Sequence, residues 1–593
     1  MRALSLLTLI AVVTGSAAIV GAEDKPGAKP AERQQSVLGH RIPNFVLPDT
    51  TGKQVGLADF KDRQGVVVVF LGTKCPVGNA YVPALLELQK LYQEKGMQIL
   101  GINAVPGDST DAIRQHVKDF GITFPVLIDT DQATLPLFGA KRTPEVFVLD
   151  NRATIRYHGR IDDRIAPDYK RDEARRADLR EALDDLLAGK EIRVKETDAA
   201  GCLITRSAKR KQPGEVTYAK HIAPILQKHC VDCHHPGTAA PFSLLTYQDA
   251  ADWSAMIEEV VTQKRMPPWH ADPRFGHFAN ERRLSTDEVD TLTTWIAAGA
   301  PEGEKNAVTP PPPFADGWRI GTPDVVFKMP EEYTVQATGT VRYKYFTTPT
   351  NFKEDMWIKA TEPRPGNRAV VHHIIVWYKD PKAAGKRMWV ASMAPGEDPV
   401  ILPDGFGRQI PAGAELVWQV HYTPTGKEEK DRSEIGFVFC KNPPQHNVFN
   451  HGISNMGFKI PAGDGNHEVV ATQKVVRDSV LLQLHPHMHL RGKDFEFQVI
   501  YPGGRKDVIL AVPQYDFNWQ TLYRLKEPLH LPKGSEIRCV AHYDNSAANP
   551  ANPDPKKDIR WGDQTWDEMM IGFIDFYWDD VAEKKDPTSD LDK

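Results

Sequence analysis

Runs of apolar residues divide the chain into three stretches with different periodicity. From about Leu38 to Lys195, short continuous apolar runs such as Val66–Leu71 alternate with segments of helical spacing such as Tyr81–Tyr92. A strand that is buried on both faces shows a continuous apolar run, and helices between such strands are typical of parallel sheets. The first stretch therefore predicts an α/β domain with a mostly parallel central sheet.

Two further stretches follow, each with its own periodicity. Residues 218–303 show helical spacing interrupted by loops, and Ser285 with Glu288 three positions later is typical of a capping box. Residues 321–580 show short alternating segments punctuated by Pro and Gly, a pattern typical of β-sandwiches. The chain is therefore predicted to be multidomain, with an α/β domain at 38–195, a small all-α domain at 218–303, and two all-β jelly-roll or sandwich subdomains at 321–450 and 451–580.

The segments outside these domains are polar or carry a targeting pattern. Residues 1–22 have a positive charge at Arg2, continue with an apolar stretch and end in small residues, which is typical of a cleaved signal peptide. A membrane anchor is the alternative, but the apolar stretch is short for a span. We therefore expect a periplasmic or secreted protein with no membrane span after signal cleavage. The remaining segments are a flexible leader at 23–37, a linker with Cys202 at 196–217, a proline-rich linker at 304–320 and a charged tail at 581–593.

Charge and composition exclude one class of partner. The 593 residues include 73 basic and 78 acidic side chains, and the formal net charge is −5. No long basic run is present, so we expect no nucleic-acid partner. The apolar share of 41% is enough for several ordinary cores. The six cysteines permit three disulfides in an oxidising compartment, unless some of them serve another chemistry.

Five consecutive residues in the all-α stretch have the spacing of a covalent haem site. Cys230-Val231-Asp232-Cys233-His234 provides two thiols that can add across the haem vinyl groups and an adjacent imidazole that can bind the iron. A zinc knuckle is the alternative, and it needs two further ligands. The candidates for those ligands are His221, His229 and His235.

Met266 is the candidate for the second axial ligand of the haem iron. A thioether opposite a histidine raises the reduction potential, which suits electron transfer. His270 is a rival ligand, and a core position for Met266 is the other alternative. The whole stretch resembles small cytochrome c domains, especially those of multidomain bacterial proteins. The resemblance implies a haem c at this place in the chain.

The β-rich stretch contains side chains that suit copper. Imidazoles combined with a thioether are typical ligands of a metal that cycles between Cu(I) and Cu(II). His487 and His489 form an i, i+2 pair, and on a strand such a pair faces the same way. His372 and His373 are adjacent, so joint ligation by them requires a bulge or bend in the strand. The set is completed by His421 and Met569.

This stretch resembles the copper type II, ascorbate-dependent monooxygenases, namely the peptidylglycine α-hydroxylating and dopamine β-hydroxylating enzymes. The resemblance covers about residues 320–580. The first copper of that family is bound by an adjacent histidine pair and by a histidine from a later strand. His372, His373 and His421 match these positions.

The second copper of the family is bound by a His-x-His element that is closely followed by a glycine, and by a methionine just after an acidic pair. His487 and His489 with Gly492 match the first element, and Met569 after Asp567-Glu568 matches the second. His485 lies on the same strand face and leaves a register error possible. The spacing to the glycine favours His487 and His489.

The resemblance implies two copper ions and the hydroxylation of an activated C–H bond with O₂. The His487/His489/Met569 copper would bind O₂, and the other would pass an electron. The family takes its electrons from ascorbate, whereas here the haem is a reasonable internal donor. The alternatives are ordinary polar residues or a domain that only binds metal. Cys440 and Cys539 either pair or are simply buried.

The α/β stretch resembles the thioredoxin-like redoxins of the peroxiredoxin type. Cys75 follows the strand Val66–Leu71 and precedes a helix, and a helix N-terminus lowers the pKa of a thiol. Thr143-Pro144 resembles the cis-proline loop that faces the active cysteine in this fold. The chain departs from the family in lacking a Cys-x-x-Cys motif and in having Gly72 where peroxiredoxins have Thr or Ser. Peroxidase activity is therefore not implied.

A late cysteine resembles a second feature of these redoxins. Relatives with a lone Cys-Pro often have a Gly-Cys segment just past the domain, and Gly201-Cys202 matches it. The resemblance implies a reversible disulfide between Cys75 and Cys202. A static disulfide and two unrelated thiols are the alternatives.

Taken together, these patterns support one main hypothesis and two alternatives. The main hypothesis is an exported copper monooxygenase that acts on a small-molecule or peptide substrate with O₂. Its electrons would come from ascorbate, another cytochrome or a quinol pool, through the haem c and through a thiol/disulfide module. The alternatives are a non-catalytic electron-transfer or redox-sensing protein and a thiol–disulfide oxidoreductase.

Overall fold

The structure is a computed structural model, and it describes residues 36–167, 169–206, 215–238, 240–305, 308, 310, 317–382 and 387–579. The predicted signal peptide, most of the leader and the charged tail lie outside the described residues. Within the described ranges, no helix is both long enough and apolar enough to cross a membrane.

The first domain has a five-stranded sheet in the order β5-β4-β3-β7-β8. Every residue of β3 and β4 is buried, as their continuous apolar runs predict. The strands are β1 (Val46–Pro48), β2 (Gln54–Gly56), β3 (Gly65–Phe70), β4 (Met97–Asn103), β5 (Val126–Ile128), β6 (Arg142–Thr143), β7 (Glu145–Asp150), β8 (Ile155–Gly159), β9 (Ile165–Ala166), β10 (Tyr169–Lys170) and β11 (Cys202–Leu203). The helices are a 3-10 turn (Leu57–Phe60), α1 (Pro76–Gln93), α2 (Thr110–Asp119), α3 (Leu135–Phe138) and α4 (Asp178–Leu187).

This sheet is mixed, and the expectation of a mostly parallel sheet was wrong. β3, β4 and β5 are parallel, whereas β7 is antiparallel to β3 and β8 is antiparallel to β7. The reason is the connection after β5, which brings the chain back to the sheet at the end where the parallel strands β3 and β5 finish. β7 starts opposite Phe70, at the end of β3, and therefore runs in the opposite direction.

The predicted linker at 196–217 begins inside the first domain. β11 pairs with β6, and the Ile204 N–H donates to the carbonyl of Lys141. The Arg160 N–H donates to the Thr197 hydroxyl. The chain therefore stays on the first domain until after Ile204, and Cys202 is part of that domain.

Residues 215–305, as far as they are described, form a small helical domain around the fully buried Trp295. The predicted helix from Tyr247 is split at Trp253, whose ring stacks on Phe242 with centroids 3.8 Å apart. The predicted capping box is present, since Ser285 and Glu288 each accept the backbone N–H of the other. The helices are a π-helical turn (Tyr218–Ile222), α5 (Ala223–His229), α6 (Tyr247–Asp252), α7 (Ser254–Thr262) and α8 (Thr286–Ala297).

The predicted β-rich C-terminal region begins with a sandwich of two sheets. One sheet has the order β12-β22-β15-β19-β23 with β18 beside β15, and the other has the order β14-β20-β16-β17. The strands are β12 (Val325–Lys328), β13 (Tyr333–Val335), β14 (Lys344–Pro349), β15 (Met356–Arg364), β16 (Val371–Lys379), β17 (Arg387–Met393), β18 (Val400–Ile401), β19 (Phe406–Ile410), β20 (Glu415–Tyr422), β21 (Glu429–Asp431), β22 (Glu434–Phe439) and β23 (His446–Asn447).

A second sandwich follows directly. Its sheets have the orders β24-β33-β27-β30 and β26-β31-β28-β29, and the expected boundary at 450/451 falls inside β24. β31 alternates buried and half-buried positions, as a strand with one face on a core does. The strands are β24 (Phe449–Ser454), β25 (Lys459–Ile460), β26 (His467–Lys474), β27 (Ser479–His487), β28 (Gly492–Ile500), β29 (Lys506–Val512), β30 (Tyr523–Leu531), β31 (Glu536–Tyr543), β32 (Ile559–Arg560) and β33 (Ile571–Trp578).

One loop of the helical domain packs into the second sandwich. Trp269 and Phe278 belong to the core of that sandwich, and their rings lie 5.0 and 5.4 Å from the ring of Tyr523. Phe278 also forms an isolated antiparallel bridge with Leu525. Because the burial of such aromatic side chains stabilises by roughly 1.5–3 kcal/mol each, this loop anchors the helical domain on the sandwich.

Candidate redox sites

Cys75 lies at the N-terminus of α1 and faces the cis-proline loop. Its buried thiol accepts the Gly78 N–H at 3.4 Å and donates to the carbonyl oxygen of Thr143 at 2.7 Å. The Thr143–Pro144 peptide bond is cis. A thiol at this place is close to the positive end of the helix dipole, which stabilises its thiolate form.

Cys202 reaches the same place on β11. It lies opposite Thr143 in the antiparallel pair of β11 and β6, and its side chain forms a hydrogen bond with Cys75. Gly201 permits the close approach, because its φ is +140° and a Cβ there would lie 2.1 Å from the carbonyl oxygen of Thr143. The structure therefore brings together two cysteines that are distant in sequence.

The two thiols differ in their acidity. Burial alone would raise the pKa of Cys75, but hydrogen bonds with the Cys202 side chain, the Thr143 side chain and the Gly78 N–H lower it to about 6. The hydrogen bond to Cys75, burial and the negative charge of Cys75 raise the pKa of Cys202 well above its ordinary value. The pair thus consists of one nucleophilic thiolate and one protonated thiol at neutral pH.

Thr73 does not take the place of the missing peroxiredoxin residue. Its hydroxyl donates to the Asp108 carboxylate at 2.6 Å, and its backbone N–H donates to the same carboxylate at 2.8 Å. This hydroxyl is therefore already used within the domain.

The haem motif directly follows α5. The N–H groups of Cys233 and His234 both donate to the carbonyl of Cys230, which forms a tight turn. His234 Nδ1 lies 3.1 Å from the carbonyl oxygen of Phe242, which leaves its Nε2 for a metal. Met266 lines the same cleft as the motif. These residues fit a haem c, which Cys230 and Cys233 would hold by thioether bonds and His234 and Met266 by iron ligation.

The rival ligands have other contacts. His229 Nε2 lies 3.0 Å from the Glu288 carboxylate, and His221 Nδ1 accepts the Thr217 N–H at 3.1 Å. His270 follows Trp269 into the second sandwich and does not line the cleft at the haem motif. The zinc alternative therefore lacks a converging ligand set among the described residues.

His372, His373 and His421 form a compact group. One ring nitrogen of each lies within 4.8 Å of the others. The adjacent pair can share this group because the pairing of β16 with β20 shifts register between Val371 and His373, and His373 lies opposite His421. Tyr343 packs against two of the rings, at 5.3 Å from His373 and 4.9 Å from His421.

The electrostatics of this group suit a metal ion. Burial lowers the pKa of His372 to about 4, and burial and repulsion from neighbouring histidines lower the pKa of His373 and His421 well below their ordinary value. Both ring nitrogens of His373 and the Nδ1 atoms of the other two are buried without a hydrogen-bond partner. Neutral imidazoles with unused nitrogens are the ligands that copper binds, so the residues fit the ion.

His487 and His489 also lie together, at the end of β27. Their ring centroids are 5.2 Å apart, although His489 already belongs to the turn after the strand. A side chain at Gly492 would clash with Met488, at 2.8 Å, so the glycine allows this turn. Met569 is half-buried, and its carbonyl accepts the Tyr543 hydroxyl.

Two residues that support these histidines were not predicted. The Gln520 side-chain oxygen lies 2.6 Å from His487 Nδ1, which leaves Nε2 for a metal. The buried Glu568 carboxylate accepts the N–H groups of His489 and Arg491, at 2.8 and 2.7 Å. No short motif identifies Gln520, whereas Glu568 lies within the acidic pair before Met569.

His485, on the same strand, has two other neighbours. Its Nε2 lies 3.8 Å from the Glu397 carboxylate, and its ring packs 5.7 Å from Phe573. Cys440 and Cys539 are apart, since Cys440 lies beside Phe406 in the first sandwich and Cys539 is in the core of the second. The structure therefore does not pair these two cysteines with each other.

The fold of the first domain and the position of Cys75 define a thioredoxin-like redoxin. The sequence of residues 38–158 matches the AhpC/TSA family. Over 121 residues it is 36% identical to the thiol-disulfide oxidoreductase ResA of Bacillus anthracis, and the match covers 20% of this chain and 68% of that protein. The chain belongs to this family of redoxins. The ResA of Bacillus subtilis (strain 168) is 34% identical over 112 residues, 19% of this chain and 61% of that protein.

Two solved structures are also similar to the chain. A hypothetical protein, SMc02350, from Sinorhizobium meliloti 1021 is 33% identical, with a TM-score of 0.27, and the match covers 29% of this chain and 95% of that one. An uncharacterised conserved protein from Geobacillus kaustophilus is 29% identical, with a TM-score of 0.27, and the match covers 28% and 90%.

Proposed function

We propose that the first domain catalyses thiol–disulfide exchange with exported partners through Cys75 and Cys202. The observation that carries the proposal is that a buried thiol at a helix N-terminus donates to the carbonyl of Thr143, while the second cysteine lies opposite Thr143 on β11. The activity in the names of the ResA relatives supports the same chemistry.

The two cysteines have successive roles in this reaction. The Cys75 thiolate attacks one sulfur of the partner's disulfide, and the other partner sulfur leaves as a thiolate. Cys202 then loses its proton and attacks the Cys75 sulfur, which releases the second partner thiol and leaves a Cys75–Cys202 disulfide. The partner gains two electrons and the cysteine pair loses two. An external thiol donor returns the pair to its reduced form.

Trapping of the mixed disulfide tests this order. Reduced protein is mixed with oxidised glutathione and the adducts are mapped by mass spectrometry. The wild type should form the Cys75–Cys202 disulfide, whereas Cys202→Ser should stop with glutathione on Cys75. Cys440→Ser removes a half-buried cysteine elsewhere and should behave as the wild type. Glutathione on Cys75 in equal yield in the wild type and in Cys202→Ser would contradict a resolving role.

A second candidate function is copper-dependent hydroxylation of a small-molecule or peptide substrate with O₂, and the His372/His373/His421 group favours it. These three residues would hold one copper ion, and His487, His489 and Met569 would hold the other. When bound, copper supplies O₂ activation and one-electron chemistry. The haem c is the proposed internal donor, and ascorbate, another cytochrome or a quinol pool is the external one. We place the protein in the periplasm or outside the cell.

The chain's own residues would prepare this site. Gln520 orients His487, and Glu568 holds the turn that presents His489. Tyr343 packs on the rings of His373 and His421 and keeps them together. Rigid support of this kind fixes which ring nitrogen faces the metal.

Metal and haem analysis of the purified protein tests the second function. Two copper ions per haem and O₂ uptake that is lost in Met569→Ile are expected. Met456→Ile is the matched control, because Met456 is 66% exposed and is not one of the proposed copper ligands. Protein that binds no copper, or uptake that persists in Met569→Ile, would rule out this assignment.

A further inference from the structure

One cleft of about 2610 Å³ is lined by the haem motif and by His372 and His421 of the first histidine group. Its walls come from the first domain, the helical domain and both sandwiches. The turn between β29 and β30, Asp516–Gln520, contributes three consecutive residues to it, Phe517, Asn518 and Trp519. The turn therefore borders the space between the two kinds of site.

Phe517 lies between the two histidine groups. Its buried ring is parallel to that of His372, with centroids 5.8 Å apart and an angle of 17°. It meets the ring of His489 edge-on, at 5.9 Å and 84°. One aromatic ring thus contacts a predicted ligand of each copper, and the gap between the two groups is filled by a side chain at this point.

Trp519 lies on the haem side of the same turn. Its ring is 3.3 Å from the position that a Cβ on Gly396 would occupy. The carbonyl of Gly396 accepts a hydrogen bond from Arg282 of the helical domain at 2.6 Å. Arg282 also pairs with Asp398 at 2.9 Å. Asp398 pairs with Arg319 at 2.8 Å, and Arg319 lies 3.5 Å from Asp232 in the haem motif. A chain of contacts therefore joins Trp519 to the haem motif.

The turn is held in place by its neighbours. Gln520 bonds to His487, and the hydroxyl of Tyr515, just before the turn, both donates to the carbonyl of Met488 and accepts its N–H. These bonds fix both ends of the turn against the His487/His489 group. A segment fixed in this way keeps Phe517 and Trp519 in defined positions.

We propose that the turn Asp516–Gln520 is the path by which an electron passes from the haem to the copper sites, with Trp519 on the haem side and Phe517 between the two histidine groups. The inference rests on the second proposed function. The step would move one electron from ferrous haem to Cu(II), giving ferric haem and Cu(I), and it would make and break no bond. Packed aromatic atoms carry such an electron better than a solvent-filled gap of the same length.

Flash photoreduction of the haem by a photoreduced flavin, in copper(II)-loaded protein under argon, tests this path. In the wild type, the ferrous band should decay at a rate that does not depend on protein concentration. Trp519→Leu and Phe517→Leu should slow the decay several-fold, while the ring-preserving Trp519→Phe and Phe517→Tyr should stay close to the wild type. Trp389→Leu is the matched control, because Trp389 packs on Arg408.

Three properties are measured first for every variant: the haem potential, the copper content and the Cu(II) EPR spectrum. If the two rings only support the structure, the substitutions should change these properties. A slower decay with these three properties unchanged supports the path. Wild-type decay rates in both Leu variants, or a rate that rises with protein concentration, would overturn it while leaving the proposed copper function intact. Absence of copper or haem in the wild type would overturn both.

Discussion

Removal of the Cys202 thiol perturbs the hydrogen bond that stabilises the Cys75 thiolate. In the wild type this bond is the largest of the contributions that lower the pKa of Cys75 to about 6 against the opposing effect of burial. A hydrogen bond to a charged group contributes about 1.5–3 kcal/mol, and one pKa unit corresponds to about 1.4 kcal/mol. Cys202→Ala should therefore raise the pKa of Cys75 by about one to two units. Cys202→Ser keeps a hydroxyl donor at this position and should keep most of the shift.

The assay is the pH dependence of alkylation at Cys75. Fully reduced protein is treated with iodoacetamide at pH values between about 4 and 10, a range that includes the ordinary thiol pKa of about 8.5. The alkylated Cys75 peptide is quantified by mass spectrometry. Because only the thiolate reacts, the rate should rise with pH through the pKa of Cys75. The midpoint should be about 6 in the wild type and between about 7 and 8 in Cys202→Ala.

The sign of the effect on stability follows from the same shift. A thiol whose pKa is lower in the folded protein favours folding above its unfolded pKa, and this contribution is lost as pH falls through about 6. An identical alkylation midpoint in the wild type and in Cys202→Ala would refute the hydrogen bond as the cause. A midpoint in Cys202→Ser that equals the one in Cys202→Ala would refute the role of the donor atom.

Two further predictions concern single contacts. Gly201→Ala should destabilise the reduced protein by about 1–3 kcal/mol in urea unfolding, because the added Cβ would clash with the carbonyl of Thr143. The loss of stability should exceed that of Gly189→Ala, because Gly189 also has a positive φ but has open space around it. Gln520→Leu should weaken copper binding about 10–100-fold in isothermal titration, because His487 loses the acceptor that orients its ring. Gln520→Glu keeps the acceptor and should bind as the wild type does; equal losses in both variants would count against an orienting role.

Local pattern accounts for much of the fold. The apolar run of β3 predicts a fully buried strand, and Ser285 with Glu288 predicts the start of α8, because both features depend on neighbours within a few residues. The expectation of a mostly parallel sheet was wrong for β7. The direction of a strand depends on where the preceding connection enters the sheet, and hydrophobic periodicity does not report it.

The sequence by itself determined which side chains could do chemistry here: the thiols, the haem motif, the histidines and Met569. The family resemblances implied which of them meet, and only the tertiary structure decided how they do so. Gly201 and the pairing of β11 with β6 bring Cys202 to Cys75, a register shift in β16 turns two adjacent histidines into one group with His421, and a turn with no recognisable motif places Phe517 between that group and His489. The physical reason is that ligand type is a property of single residues, whereas convergence depends on hydrogen-bond registers and packing between segments far apart in the chain.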